Sequence, residues 1–369
     1  MGVAPQYCGV LGKKANGQVA VTTVYVDPFY AWPVNGQLYL PDAWTNDPAR
    51  RKRAGIPPRV TFQTKPALAL ELIDQAQAAG VPFGIVVTDS SYGDNPAFLD
   101  GLDERKLPGV VAVHCDFGVR LPDEVRQAAA RPLPPTKKPG RPRTHPHPVQ
   151  VAPLHRADAV LAQQPAAVWQ TISWRQGTDG PLIKQFMAMR VHRAVGDTTG
   201  PVGWLMGERP RPGESGEEKY YWSNLPSTTP LARLAEVAHR RPGIERSYED
   251  GKGGSGLADY AARKWESFHR HLAIEFLVLS WLTLQKPPGA TPQIVVDPQP
   301  VGSPSEPVFP LWTRALSERR ADPPAGGGIP RRRVGSLAGA VGTHRRNTAS
   351  GPTPTRSVPT VVPRSMNSP

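Results

Sequence analysis

The stretch from Pro66 to His114, PALALELIDQAQAAGVPFGIVVTDSSYGDNPAFLDGLDERKLPGVVAVH, decides the fold. Pro66 to Gly80 predicts a helix, with proline in its first turn and glycine at its end. Pro82 to Asp89, PFGIVVTD, is a continuous apolar run, as expected of a strand covered on both faces. Asn95 to Lys106 predicts a short helix, and Gly109 to His114 another buried strand. A helix between two buried strands implies a parallel crossover, so this block is α/β.

Upstream, Gln18 to Asp27 (QVAVTTVYVD) alternates and is β-branched, which predicts a strand. Phe29 to Leu40 predicts a second strand with a turn at Asn35-Gly36. Downstream, from about Ala167 to Pro226, VWQTISW, LIKQFMAMRVHRAV, VGWLMGER and KYYWSNLP are strand-like segments between turns. Helix returns from Pro230: Leu231 to His239, Ile244 to about Lys252, then a long helix over Leu257–Leu284. The apolar end of that helix, LAIEFLVLSWLTL, requires a packing partner.

The 369 residues carry 44 Lys+Arg against 31 Asp+Glu, a formal charge of +13. From Arg319 onward there are nine Arg and one acid, so most of that charge belongs to the tail. The tail is rich in Pro, Gly, Ser and Thr and is expected to be disordered. Arg131 to His147 and Lys286 to Pro307 are too proline-dense for helix or central strand. Cys8 and Cys115 are the only cysteines, which excludes a disulfide scaffold. No apolar run is long enough to span a bilayer and no secretory signal is visible, so the expectation is a cytoplasmic protein with no membrane partner.

Two acids stand where chemistry is plausible. Asp89 ends a buried strand, where ligands sit in open α/β sheets, and a carboxylate there can hold Mg²⁺. A turn or helix-cap role explains Asp89 equally. On a helix, Glu245, Tyr248 and Lys252 would share one face, able to bind metal, stack on a base and hold a phosphate. An ordinary solvated face with a Glu–Lys pair is the simpler reading of the same spacing. In Lys137-Lys-Pro-Gly-Arg-Pro-Arg143, Arg141 and Arg143 suit a narrow minor groove, with a basic linker as the alternative.

KYYWSNLP and LARLAEVAHRRPGIERSYEDGKGGSGLADY resemble the closing region of DDE-superfamily insertion-sequence transposases. The resemblance is to the branch with a Tyr-x2-Arg-x3-Glu-x6-Lys signature, the IS-seven-zero-one group. Arg241, Glu245 and Lys252 match its spacing. MGVAPQYCGVLGKKANGQVAV, QLYLPDAW, RVTFQTKP, TDSSYGDNPAFLDGL, TDGPL and the Trp265…His269-Arg270-His271 run match in order, over roughly residues 2–288.

The resemblance implies an RNase H-like mixed sheet with a β-rich insertion before the Glu-bearing helix. It also implies three carboxylates holding two Mg²⁺ (or Mn²⁺) ions for in-line attack on a phosphodiester. Asp89 matches the second Asp and Glu245 the Glu; Arg241 and Lys252 match the positions expected to clamp DNA phosphates, and on the transposase reading Tyr248 orients or stacks a nucleotide. The implied partner is double-stranded DNA, with a homodimer and nucleoid association as further expectations. The implied division is 1–118 and 230–288 for the core, 119–229 for linker and insertion, and 289–369 for the tail.

Three departures follow. Family members carry the first catalytic Asp shortly before the segment matching Gly2–Tyr7, so a truncated enzyme lacking its central strand, with two unpaired interior edges, is expected. The signature tyrosine is Ala238. Pro242-Gly243 would turn Arg241 away from the Glu245 stripe, and Gly251, Gly253, Gly254 and Gly256 weaken the helix beyond. The two readings are therefore a DDE transposase and a non-catalytic, DNA-binding remnant of one.

Overall fold

A computed structural model describes residues 1–8, 13–28, 30–131, 150–177, 180–260, 263–285 and 360–368. Its strands are β1 (Ala4–Cys8), β2 (Lys13–Val26), β3 (Ala31–Leu38), β4 (Ile85–Thr88), β5 (Gly109–Val113) and β6 (Gly118–Arg120). They continue with β7 (His155–Arg156), β8 (Gln170–Gly177), β9 (Gly180–Val195), β10 (Thr198–Arg209), β11 (Lys219–Ser223) and β12 (Thr360–Ser368). The helices are α1 (Asp42–Thr45), α2 (Pro48–Ala54), α3 (Lys65–Ala78), α4 (Ser90–Gly93) and α5 (Pro96–Glu104). After them come α6 (Pro122–Ala130), α7 (Ala157–Ala162), α8 (Leu231–Ala238), α9 (Pro242–Asp250) and α10 (Trp265–Gln285).

The expected crossover is present. Thr64 caps α3 by accepting from the Ala67 amide, and Gly80 leaves the helix in the left-handed region at φ 75°. β4 then runs parallel to β5, Val86 to Val87 facing Gly109 to Val110. Along β4, Ile85 and Val87 face one core while Val86 faces the other. A helical layer on each side explains why this strand is apolar at every position.

All the strands join one mixed, mostly antiparallel sheet in the order β1-β2-β12-β4-β5-β11-β10-β9-β6-β7, with β3 added to β2 and β8 to β9. The β-rich segment is therefore continuous with the crossover strands, because β11 pairs antiparallel with β5 from Tyr220–Val113 to Ser223–Val110. The layer of α8, α9 and α10 covers one face, with Ile244, Tyr248 and Leu272 in its core. The layer of α3, α5 and α7 covers the other, with Ile73, Phe98 and Leu161.

Four expectations need correction. The turn at Asn35-Gly36 is absent, and β3 runs straight through it. Val34 is instead an extra residue in the ladder, since Asn35 pairs with Thr23 and Pro33 with Val24. Gly36 is needed for close approach: a Cβ there would lie 2.8 Å from Thr22 Cγ2 and 3.1 Å from Leu272 on α10. The third late helix begins at Trp265 rather than Leu257, because Gly256 sits at φ 90° and ends the preceding turn. The interior of the sheet has no open gap between β2 and β4. β12 lies between them, antiparallel to β2 over Thr360–Ser368 and parallel to β4 at Thr360 and Val361. The tail thus supplies a strand that its composition did not announce; residues 286–359 lie outside the described residues. The fourth correction concerns Arg241 and belongs to the site.

Candidate active site

Asp89 follows the last residue of β4, and its two oxygens do different work. Oδ1 accepts from the Ser91 amide at 3.1 Å, capping α4. Oδ2 lies 3.7 Å from a terminal nitrogen of Arg241. The cap reading and the site reading of this carboxylate thus describe separate atoms of one residue. Gly93 makes the placement feasible: a Cβ there would lie 1.9 Å from the Ala112 carbonyl oxygen, so α4 presses its backbone directly onto β5.

Glu245 arrives from the opposite end of the chain. Pro242 occupies the first turn of α9, and Arg241 before it is helical, at φ −52° and ψ −42°. Arg241 therefore lies on the Glu245 stripe, contrary to the expectation drawn from Pro242. The same Arg241 nitrogen that faces Asp89 is 3.1 Å from Glu245 Oε1. The two carboxylate oxygens can thus be no farther apart than the sum of those two contacts. All three side chains are part-buried, at 21% to 39% relative exposure.

The other expected residues divide. Tyr248 is buried, and its hydroxyl meets Thr22 Oγ1 on β2, so its ring packs in the core rather than facing a nucleotide. Beyond Asp250 the helix widens into a π turn over Gly251–Ser255, where the glycines were expected to weaken it. Lys252 is exposed on that turn. Arg141 and Arg143 lie outside the described residues.

Reasoning from sequence missed a polar relay beside Asp89. The Asp94 carboxylate accepts from the His114 amide at 3.0 and 3.2 Å and contacts His114 Nδ1. His114 Nε2 faces Ser90 Oγ at 3.5 Å. The position of His114 just past the end of β5, neighbouring the end of β4, was the available signal. A second missed group lies beneath Arg241. Glu208 on β10 is buried, accepts from Tyr221 Oη at 2.8 Å and lies 3.0 Å from His239 Nε2. The His239 ring stacks on Trp174 at 3.9 Å. Burial and the adjacent Glu208 push the Tyr221 phenol well above its ordinary value, keeping it a donor.

Two converging carboxylates suit one hard cation that completes its shell with water and substrate oxygens. The two-ion arrangement asks for a third acid. Among the described residues no group of three or more His, Cys, Asp or Glu could hold a metal ion.

Residues 1–181 match the family model described as DDE superfamily endonuclease. The chain is also similar to the "Probable transposase for insertion sequence element IS701" of Microchaete diplosiphon, at 35% identity over 120 residues. That alignment covers 32% of this chain and 29% of the relative, so the chain spans under a third of the relative it matches. Among the described residues no helix is long and apolar enough to cross a membrane.

Proposed function

We propose that the chain is an insertion-sequence transposase-type protein that engages double-stranded DNA, with Asp89 and Glu245 jointly holding one divalent cation, Mg²⁺ or Mn²⁺, at a phosphodiester. The observation that carries this is the single Arg241 nitrogen facing both acids. When bound, the cation supplies Lewis-acid stabilisation of charge developing on the phosphate oxygens. Arg241 offsets the repulsion between the two carboxylates, and its remaining N–H groups are available to a phosphate oxygen. Lys252, exposed one turn beyond Tyr248, adds a point charge for the backbone of the bound strand.

The strand order β3-β2-β12-β4-β5 supports an RNase H-like core, with β12 antiparallel to β2 and parallel to β4. In this reading the described residues within 1–118 and 230–288, together with 360–368, form the core, and those within 119–229 extend its sheet. β12 takes the place that the family gives to the strand bearing the first Asp.

The composition of β12 favours a second reading, DNA binding without catalysis. Its sequence, TVVPRSMNS, contains no carboxylate, so the strand beside β4 supplies no third acid.

Electron paramagnetic resonance of Mn²⁺ with the full chain, alongside nicking of a supercoiled plasmid, tests both. Asp89→Asn and Glu245→Gln are each expected to weaken Mn²⁺ binding at least ~10-fold, as loss of a hard oxygen ligand should. Unchanged Mn²⁺ affinity in both variants ends the cation assignment. Nicking by the wild-type chain selects the first reading, and DNA binding without nicking selects the second.

A further inference from the structure

The face of the sheet that carries Glu245 also carries a concentration of positive charge away from the carboxylates. α2 with its C-cap reads PARRKRAG from Pro48 to Gly55, four cations and no acid. Two of the four have structural work. Arg51 donates to the Pro57 carbonyl at 3.0 Å and to that of Thr45 at 3.4 Å, closing the loop after the helix. Arg50 pairs with Asp47 at 3.1 Å and lies over the Trp44 ring. Lys52 and Arg53 are exposed.

α10 brings two more cations to the same place. The Lys264 ammonium, just before that helix, donates to the Arg53 carbonyl across 211 positions of sequence. Arg263 is its neighbour, and both are exposed. Among the described residues, Lys52, Arg53, Arg263 and Lys264 make no ion pair with a carboxylate. The nearest acid on α10, Glu266, is engaged by Arg270 at 2.6 Å. Cations in the last turn of a helix oppose its dipole, but that effect is confined to the turn and does not explain the pair on another element.

The patch and the carboxylates share one face and one end of the sheet. Ala54 and Ile56, at the end of α2, are in the same buried cluster as Ile244, Tyr248 and Leu257. Tyr248 is anchored at Thr22 of β2, while the first residues of the chain, against which Trp44 and α2 sit, are held to Gln18 of the same strand. Those anchors are four strand rises apart, roughly 13 Å. At 3.4 Å per base pair along a strand, that is about four base pairs of duplex. Lys252, exposed on the π turn, stands on the chain path between α9 and Arg263.

We infer that Lys52, Arg53, Arg263 and Lys264 form a docking surface for the phosphodiester backbone of double-stranded DNA, holding the duplex beside the Asp89–Glu245 site. The inference rests on the reading of that site as one that works on DNA. The surface reads no sequence: its ammonium and guanidinium groups contact phosphates and set the register of the duplex.

The test is fluorescence anisotropy of the full chain with a 30-base-pair duplex between 50 and 200 mM KCl. K52Q/R53Q/R263Q/K264Q should bind about 30-fold more weakly at 100 mM salt, with a log–log salt slope smaller by about 3. The charge-preserving K52R/R53K/R263K/K264R should bind as wild type. An unchanged slope in the glutamine variant, with its melting curve intact, overturns the assignment, as does absence of DNA binding by the wild-type chain. Tighter binding of single-stranded RNA or phosphatidylglycerol vesicles, lost in the same variant, overturns the choice of partner. Mn²⁺ binding is read separately: if it is absent while the glutamine variant loses DNA, the cation reading fails and the docking surface stands.

Discussion

Glu208 and His239 face each other 3.0 Å apart inside the molecule, joining β10 to the residue that ends α8, two positions before Arg241. Burial alone would raise the Glu208 carboxyl. The neighbouring His239 and the Tyr221 hydroxyl outweigh this and hold it below the ordinary 4.5. A carboxyl depressed in the folded state stabilises the fold above its unfolded value and loses that contribution as pH falls through the folded value. Thermal melts between pH 7 and 3 should therefore steepen downward below about 4.5, and Glu208→Gln should flatten that limb while losing on the order of 3 kcal/mol at pH 7. Parallel acid limbs in the two proteins would refute the pairing.

His269 gives a second, separable pH effect. Burial lowers its imidazole below 6.5, while the hydrogen bond to the Trp265 carbonyl opposes this. A base whose folded value is depressed favours folding when neutral, so stability is complete above 6.5 and declines as pH drops beneath it. His269→Asn should remove the change in unfolding free energy between pH 7.5 and 5.5 that denaturant titration detects in the wild type.

Gly93 is required by contact alone. Its φ is not positive, yet an added Cβ would collide with the Ala112 carbonyl oxygen. Gly93→Ala should cost about 3 kcal/mol in urea unfolding, as overpacking against backbone does. It should also weaken Mn²⁺ binding, because the cap that holds Asp89 moves with α4. A loss below about 0.5 kcal/mol, the size of an ordinary surface change, would contradict the packing described.

β12 is tested by hydrogen exchange. Its amides on the β2 side lie in a sheet interior and should exchange far more slowly than those of an isolated strand. Pro363, which has no N–H, interrupts the ladder. Complete exchange of the peptide 360–368 within seconds would remove this strand from the sheet.

Much of this molecule was legible in the sequence because the relevant signals are local. Pro66 and Gly80 mark the limits of α3 to within two residues, and the unbroken apolar runs at 85–88 and 109–113 identify strands buried on both faces. Asp89 and Glu245 were identifiable as acids at element ends, and the ordered motifs paired them. The turn expected at Asn35-Gly36 shows the limit of local reasoning. The glycine there answers to Thr22 on the paired strand and to Leu272 on α10, the latter more than 200 residues away.

Residue order alone determined the α/β class and the crossover, because hydrophobic period and capping chemistry act over a few residues, and the ordered motifs offered Asp89 and Glu245 as candidates. Only the tertiary structure decided that Arg241 bridges those acids, that Tyr248 is core, that His114 and Asp94 stand beside Asp89, and that a C-terminal strand lies between β2 and β4. Each of these depends on contacts between segments remote in sequence, whose relative placement no local propensity encodes.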